Sequence, residues 1–209
     1  MAPDVPPLRL AGLVLAGGRS KRFGSEKAVA LFRGRPMLDW SLDALATVCG
    51  AVAVSARAES AAADLARGRG LPVLADDPDI PEGPLAGIAA GIAWARNSGF
   101  THLATLPCDA PLVGAEQLRR LIAEAAATGA FAVTPDGPQP LIAIWPVAAF
   151  QRPRGEHPPT RSLLLTLDAL PVFYESAAPF TNLNQPAGMD QDRANRPETV
   201  SADADAMLI

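Results

Sequence analysis

Residues 8–27 read LRLAGLVLAGGRSKRFGSEK, and this stretch decides the fold. Its first part, Leu8–Leu15, is an apolar run of strand length, and a glycine-rich loop follows it directly. Glycines let backbone N–H groups approach an anion closely, and lysines and arginines can reach phosphate oxygens. The loop therefore predicts a triphosphate cradle after the first strand, built from Gly17, Gly18, Arg19, Lys21, Arg22, Gly24 and Lys27. The alternative is a glycine-rich turn with a solvated basic face.

The loop matches neither common glycine-rich nucleotide motif. Gly24 is followed by Ser25 instead of the lysine of a P-loop, and the G-x-G-x-x-G spacing is missing. The prediction of phosphate binding depends on the position of the loop after a strand and on its density of positive charge.

Strand-length apolar runs alternate with helical patterns along the rest of the chain, which predicts a single-domain, Rossmann-like α/β fold. We expect three layers, with helices on both faces of a mostly parallel sheet. One domain is predicted over residues 1–193, followed by a polar tail over residues 194–209. The predicted strands cover residues 8–15, 51–55, 71–75, 102–106, 131–134, 141–145 and 171–174. One predicted helix begins at Pro36, and the others cover residues 58–67, 84–97, 118–125 and 162–167.

In such sheets, ligands bind at the carboxyl ends of the strands, which selects the loops beginning at Ala16, Asp76, Pro107 and Gln185. In the third of these loops, Asp109 lies between two prolines at the end of an apolar run. A carboxylate there can hold Mg²⁺ bridged to phosphate oxygens, which makes Asp109 the predicted metal ligand. The alternative is that Asp109 caps the following turn.

Two further groups of polar residues are candidates for ligand contact. Asp76 directly follows a predicted strand and can accept hydrogen bonds from guanine or from ribose hydroxyls, the alternative being a solvated acidic loop. Asn182 and Asn184 share a face if residues 180–186 form a short strand. Their amides could meet a phosphate or a second substrate, although turn-forming asparagines explain the pattern equally well.

Composition excludes several classes of protein. The formal charge of −4 argues against a general binder of nucleic acids or anionic membranes, and no apolar run is long enough to span a bilayer. Cys49 and Cys108 are far apart and form no CxxC motif, so we expect free thiols in a reducing compartment. We predict a soluble cytoplasmic protein. A secretory signal peptide at the N-terminus is the weaker interpretation, because prolines lie close to the apolar run.

These motifs together resemble the nucleotidyltransferases of the molybdenum cofactor guanylyltransferase type. The resemblance covers about a third of the chain and implies a fold like that of the nucleotide-diphospho-sugar transferases. It also implies a Mg²⁺-dependent transfer of GMP from GTP onto molybdenum-loaded molybdopterin, with pyrophosphate as the second product. The matching stretches are LAGGRSKRFGSEKAVALFRGRPML at 15–38, LADDPDIPEGPLAGI at 74–88, LPCDAPLV at 106–113, QPLIAIW at 139–145 and FTNLNQP at 180–186.

The resemblance also implies roles for individual residues. Leu15, Ala16 and Gly17 would bind the nucleotide through backbone groups, with Gly18 and Arg19 beside them. Lys27 would neutralise the phosphates, Asp76 would contact the nucleotide, Asp109 would hold Mg²⁺, and Asn182 and Asn184 would meet the pterin. Three positions depart from the family pattern: Glu26 replaces Asp before the lysine, Ser55 replaces an Asn at the nucleoside, and residues 185–189 lack an acidic turn.

The chemistry of phosphoryl attack supports this class of reaction, because it depends mainly on positioning and charge stabilisation. The predicted catalytic residues are Lys27, Asp109 and Arg22, and the predicted partners are GTP, molybdopterin and, more loosely, molybdopterin-handling proteins and molybdoenzymes. We expect a monomer or a weak homo-oligomer. Two rival functions stay open: a CTP-dependent nucleotidyltransferase of the same fold, and an inactive nucleotide-binding partner in molybdoenzyme assembly.

Overall fold

The computed structural model describes residues 8–17, 26–125, 127–151 and 159–183. Within these residues one sheet has seven strands in the order β5-β4-β1-β6-β8-β7-β9, and a separate hairpin is formed by β2 and β3. The strands are β1 (Leu10–Leu15), β2 (Leu31–Phe32), β3 (Arg35–Pro36), β4 (Ala51–Ser55), β5 (Val73–Leu74), β6 (His102–Pro107), β7 (Ala130–Thr134), β8 (Gly137–Pro146) and β9 (Leu170–Phe173). The helices are α1 (Met37–Ala46), α2 (Ala61–Gly68), α3 (Pro84–Asn97), α4 (Ala115–Glu124) and α5 (Thr160–Thr166).

The sheet is mostly parallel, as the alternation of strands and helices predicted. β1 pairs in parallel with β4 on one side and with β6 on the other. Their register places Leu15 beside both Ser55 and Pro107. The carboxyl ends of three central strands therefore lie at one edge, where the predicted ligand loops begin.

Helices cover both faces of the sheet, and each face has its own apolar core. Side chains of α1, α2 and α4 pack against one face, with Leu45, Ala63 and Leu121 buried there. Side chains of α3 and α5 pack against the other face, with Ile88 and Leu164 fully buried. The three-layer α/β/α prediction is confirmed.

Helix α3 approaches the sheet closely because it carries glycines at positions 87 and 91. A Cβ at Gly91 would lie 2.5 Å from Leu13 Cδ2 and 2.9 Å from Leu103 Cδ2, so no larger residue fits without movement. The first turn of α3 begins at Pro84, a residue whose fixed φ suits that position. The helix thereby brings Gly87 against the site edge of the sheet.

Two sequence predictions were wrong in detail. No strand covers residues 181–183; a 3₁₀ turn at Ala178–Phe180 precedes them instead. The strand predicted over residues 141–145 is the longer, antiparallel β8, which forms a hairpin with β7. The β2–β3 hairpin was not predicted, because its strands have only two residues each.

Other predicted elements lie within a few residues of their observed bounds. The division into a domain over 1–193 and a tail over 194–209 stays a prediction, since residues 184–209 lie outside the described part. Among the described residues, no helix combines the length and apolarity needed to cross a bilayer.

Candidate functional site

The site is a cleft at the carboxyl edge of β1, β4 and β6. Backbone hydrogen bonds fix its floor: the amide of Ala16 donates to the carbonyl of Ser55 at 2.9 Å, and the amide of Cys108 donates to that of Leu15 at 3.1 Å. The cleft encloses about 150 Å³. The predicted site residues that line it are Leu15, Ala16, Gly17, Lys27, Ser55, Asp76, Asp109 and Asn182.

The Lys27 amino group lies at the centre of the polar contacts. Its Nζ donates to Asp109 Oδ2 at 2.5 Å and to Asn182 Oδ1 at 3.0 Å. The side chains of Lys27 and Asp109 are only 12% and 18% exposed. The amide of Leu183 donates to the backbone carbonyl of Asp109 at 2.8 Å, which holds the chain beside Asn182 against this loop. Three separate segments thus converge on one ammonium group.

The second carboxylate oxygen of Asp109 bears on the metal prediction. Asp109 Oδ1 is buried and, among the described residues, receives no hydrogen bond. An unsatisfied, buried carboxylate oxygen is costly unless a cation or a donor balances it. Within the described chain no cluster of three or more His, Cys, Asp or Glu residues could hold a metal. One carboxylate fits Mg²⁺, which commonly takes one or two protein carboxylates together with substrate phosphates and water.

Asp76 lies across the cleft beside the first glycine of the loop. A Cβ at Gly17 would be 3.9 Å from both carboxylate oxygens of Asp76. Ser55 Oγ donates to Asp76 Oδ1 at 3.2 Å. Burial raises the pKa of Asp76, the hydrogen bond from Ser55 lowers it, and the charge of Glu82 raises it. Ser55 therefore contacts Asp76, at the position where the resemblance implied a contact with the nucleoside.

Several predicted site residues fall outside the described part of the chain. These are Gly18, Arg19, Arg22 and Asn184, together with Lys21 and Gly24 of the glycine-rich loop. Their roles stay predictions.

The structure also places residues in the cleft that the sequence interpretation did not assign to it. Gly83 and Pro84 enter from the start of α3, and Leu141 enters from β8. Glu26 lines the same cleft, and its carboxylate contacts the first turn of α2. Proximity to the predicted loops was the available signal for Gly83 and Glu26, whereas Leu141 lies in a predicted strand whose neighbours in the sheet only the structure shows.

Two further titratable residues, Cys108 and His102, are buried in the fold. Cys108 is buried, and its burial raises the pKa of the thiol to about 12, which opposes a thiolate nucleophile. His102 is buried at the start of β6, away from the carboxyl edge, and burial lowers its pKa. Cys49 and Cys108 are both free thiols, as the cysteine spacing predicted.

Known proteins resemble this chain in sequence and in fold. A molybdenum cofactor guanylyltransferase of Acidiphilium cryptum is 38% identical over 197 residues, which cover 90% of this chain and 95% of that protein. A molybdenum cofactor guanylyltransferase of Rhodobacter capsulatus is 35% identical over 198 residues, covering 91% of this chain and all of that protein. A nucleotidyl transferase from Methanothermobacter superposes with a TM-score of 0.70 at 16% identity, covering 89% of this chain and 96% of that one.

The last likeness, at 16% identity, shows the fold alone. The sequence likenesses show more, because both relatives are well above 30% identity over nearly the whole chain. Residues 12–164 match the description "MobA-like NTP transferase domain", and this range contains both the glycine loop and Asp109. The resemblance drawn from the motifs is thereby confirmed: the chain belongs to the family of MobA-like NTP transferase domains.

Proposed function

We propose that the protein transfers GMP from GTP onto molybdenum-loaded molybdopterin, giving the guanine dinucleotide cofactor and pyrophosphate. The names of the relatives in Acidiphilium and Rhodobacter support this choice of nucleotide and acceptor. The structural observation that carries it is the position of Lys27 Nζ between Asp109 and Asn182. An ammonium group at this position can neutralise negative charge on a nucleotide bound beside Asp109 and on an anionic acceptor bound beside Asn182.

The proposed reaction is a phosphoryl substitution. A phosphate oxygen of molybdopterin forms a bond to the α-phosphorus of GTP. The bond from that phosphorus to the oxygen bridging to the β-phosphate breaks, and pyrophosphate leaves with the electron pair. The attacking phosphate is already anionic, so the reaction requires charge stabilisation more than a strong base.

The chain would divide this work among few residues. Lys27 would neutralise negative charge around the α-phosphate, and the backbone of Ala16 and Gly17 would approach the phosphates. Asp76 would accept hydrogen bonds from the guanine or the ribose. Asp109 would hold Mg²⁺ through its unsatisfied Oδ1, and the bound ion would neutralise charge on the leaving pyrophosphate. Arg19 and Arg22 are proposed to add positive charge to the same loop, and Asn182 and Asn184 to meet the pterin.

The test measures pyrophosphate release from GTP or CTP with Mg²⁺, with and without molybdenum-loaded molybdopterin. We expect release from GTP that depends on the acceptor, and its loss by about 10²-fold or more in Asp109→Ala. The matched control is Glu124→Ala, which removes one exposed carboxylate at the end of α4 and should keep the wild-type rate.

Two results would reject the proposal in different ways. Release from CTP but not GTP would favour the cytidylyl rival. Undiminished cofactor synthesis by Asp109→Ala would favour the non-catalytic binding partner. A cytoplasmic location, contacts with molybdoenzymes and a monomeric or weakly oligomeric state stay predictions.

A further inference from the structure

Glu26 connects the end of the basic loop to a helix far along the chain. Its Oε2 accepts a hydrogen bond from the amide of Ala61 at 2.7 Å, and its Oε1 accepts one from the amide of Ala62 at 3.3 Å. Both amides belong to the first turn of α2, 35 and 36 residues away in sequence. The contact joins the segment before Lys27 to the helix that follows β4 and its loop.

The N-terminus of α2 is well suited to this carboxylate. The first amides of a helix have no partner within the helix, and the helix dipole favours negative charge beside them. Ser60 Oγ accepts from the amide of Ala63 at 3.1 Å and satisfies the next donor. Glu26 and Ser60 together use the amides of residues 61–63, so these donors are already engaged by the protein's own side chains.

The same contact fixes the backbone from which Lys27 extends. Glu26 precedes a 3₁₀ turn at Lys27–Val29, and Ala28 within that turn is buried. The carbonyl of Ala30, directly after the turn, accepts from the amide of Met37 at 2.9 Å, which attaches the far end to the start of α1. The turn is therefore held at both ends, and Lys27 reaches Asp109 and Asn182 from a fixed origin.

We propose that Glu26 is a positioning residue: by binding the N-terminus of α2, it sets the place of the Lys27 ammonium group in the cleft. This inference rests on the proposed function, because Lys27 matters only if it meets the phosphates. A displacement of about 1 Å at a reacting group can cost on the order of 10²-fold in rate, so a partial loss of this anchor should be measurable.

The test compares Glu26→Ala with Ser60→Ala, which removes a neighbouring cap on the same helix without touching the segment of Lys27. Both should lower the Tm by about 2–4 °C, because each removes one capping side chain. Glu26→Ala should also lower kcat for pyrophosphate release by about 10-fold or more, whereas Ser60→Ala should stay within about 2-fold of wild type. Glu26→Gln keeps the length and one acceptor oxygen, so it should recover part of the rate.

A double variant shows whether Glu26 acts through Lys27. Adding Glu26→Ala to Lys27→Ala should cause little further loss, because the group being positioned is already gone. Equal kcat values for Glu26→Ala and Ser60→Ala would overturn the inference, as would a full additive loss in the double variant.

Failure of the proposed function gives a different result. Wild-type protein would then release pyrophosphate from CTP alone, and the same variants would be compared with CTP, or it would release none from either nucleotide. Where neither nucleotide releases pyrophosphate, the variants are compared by their affinity for GTP instead of by rate. An equal loss of GTP affinity in Glu26→Ala and Lys27→Ala supports the positioning role. Equal GTP affinities of Glu26→Ala and Ser60→Ala overturn it.

Discussion

Gly87 is the position in α3 where an added methyl group would disturb the candidate cleft most directly. A Cβ built there overlaps Ser55 Oγ, lies 3.2 Å from Ser55 Cβ and lies 3.3 Å from Asp76 Oδ1. Gly87→Ala should therefore push Ser55 and Asp76 away from their present contact, in which Ser55 donates to Asp76 at 3.2 Å. We expect the variant to lose both stability and nucleotide affinity.

The loss of stability follows from two opposing contributions. Replacing a glycine inside a helix by alanine favours folding by about 0.5–1 kcal/mol. Inserting a methyl group into a closely packed contact costs about 1–3 kcal/mol. The net free energy of unfolding should fall by about 1 kcal/mol, which corresponds to roughly 2–4 °C in Tm for a chain of this size.

The assay pairs urea unfolding with GTP binding measured by titration calorimetry. Gly91→Ala is the matched control, because it inserts the same methyl group one turn later against Leu13 and Leu103 in the core. We expect Gly91→Ala to lower stability while its GTP affinity stays within about 2-fold of wild type. Gly87→Ala should weaken GTP binding by about 10-fold, the equivalent of roughly 1.4 kcal/mol.

Coupling to Ser55 gives the decisive comparison. In a Ser55→Ala background the closest atom, Oγ, is absent, so Gly87→Ala should cost less stability than it does in wild type. The reasoning would be refuted if the two substitutions were additive in stability, or if Gly91→Ala weakened GTP binding as much as Gly87→Ala.

Three further predictions concern polar groups that are partly or fully buried. Burial raises the pKa of Asp76, so ionisation of this carboxyl group lowers the stability of the fold as the pH rises through the raised pKa. Asp76→Asn removes this ionisation, so the variant should have a higher Tm than wild type at neutral pH and lose this advantage in acid. The variant should also bind GTP more weakly. A scan of Tm against pH checks it, and an equal gain at every pH would contradict it. Burial raises the pKa of the Cys49 and Cys108 thiols to about 12. A thiol reagent at mildly alkaline pH should therefore label both cysteines only after denaturation. Rapid labelling of the native protein would contradict this prediction and show a more exposed thiol. Trp145 Nε1 donates a hydrogen bond to Thr105 Oγ1 at 2.9 Å in the core. Thr105→Val leaves this donor without an acceptor, so the free energy of unfolding measured in urea should fall by about 1–3 kcal/mol. Thr101→Val, at an exposed turn, should lower it by less.

The path of β8 shows where sequence patterns misled the prediction of the fold. The predicted strand covers residues 141–145, after Pro138 and Pro140, yet β8 begins at Gly137. Its pairing with β6 covers only residues 143–146, while residues 137–139, which include Pro138, pair with β7 alone among the described strands. One side of that part is an open edge, where a residue without an N–H is tolerated. Propensity could not show this, because it depends on the length of a neighbouring strand.

The sequence alone determined the class of fold and the edge of the sheet where the candidate cleft lies. Periodicity and the positions of glycine and proline report local structure, and the ends of parallel strands meet at one edge whatever the side chains are. That was enough to select Lys27, Asp76 and Asp109, which all line the cleft.

Only the tertiary structure decided which of these groups contact one another. Lys27 meets Asp109 and Asn182 across 82 and 155 residues, and Glu26 meets the N-terminus of α2 across 35. Such contacts depend on how helices pack against the sheet and on which strands are neighbours. No local pattern encodes that information, so the contact of Glu26 with α2 could be recognised only in the folded structure.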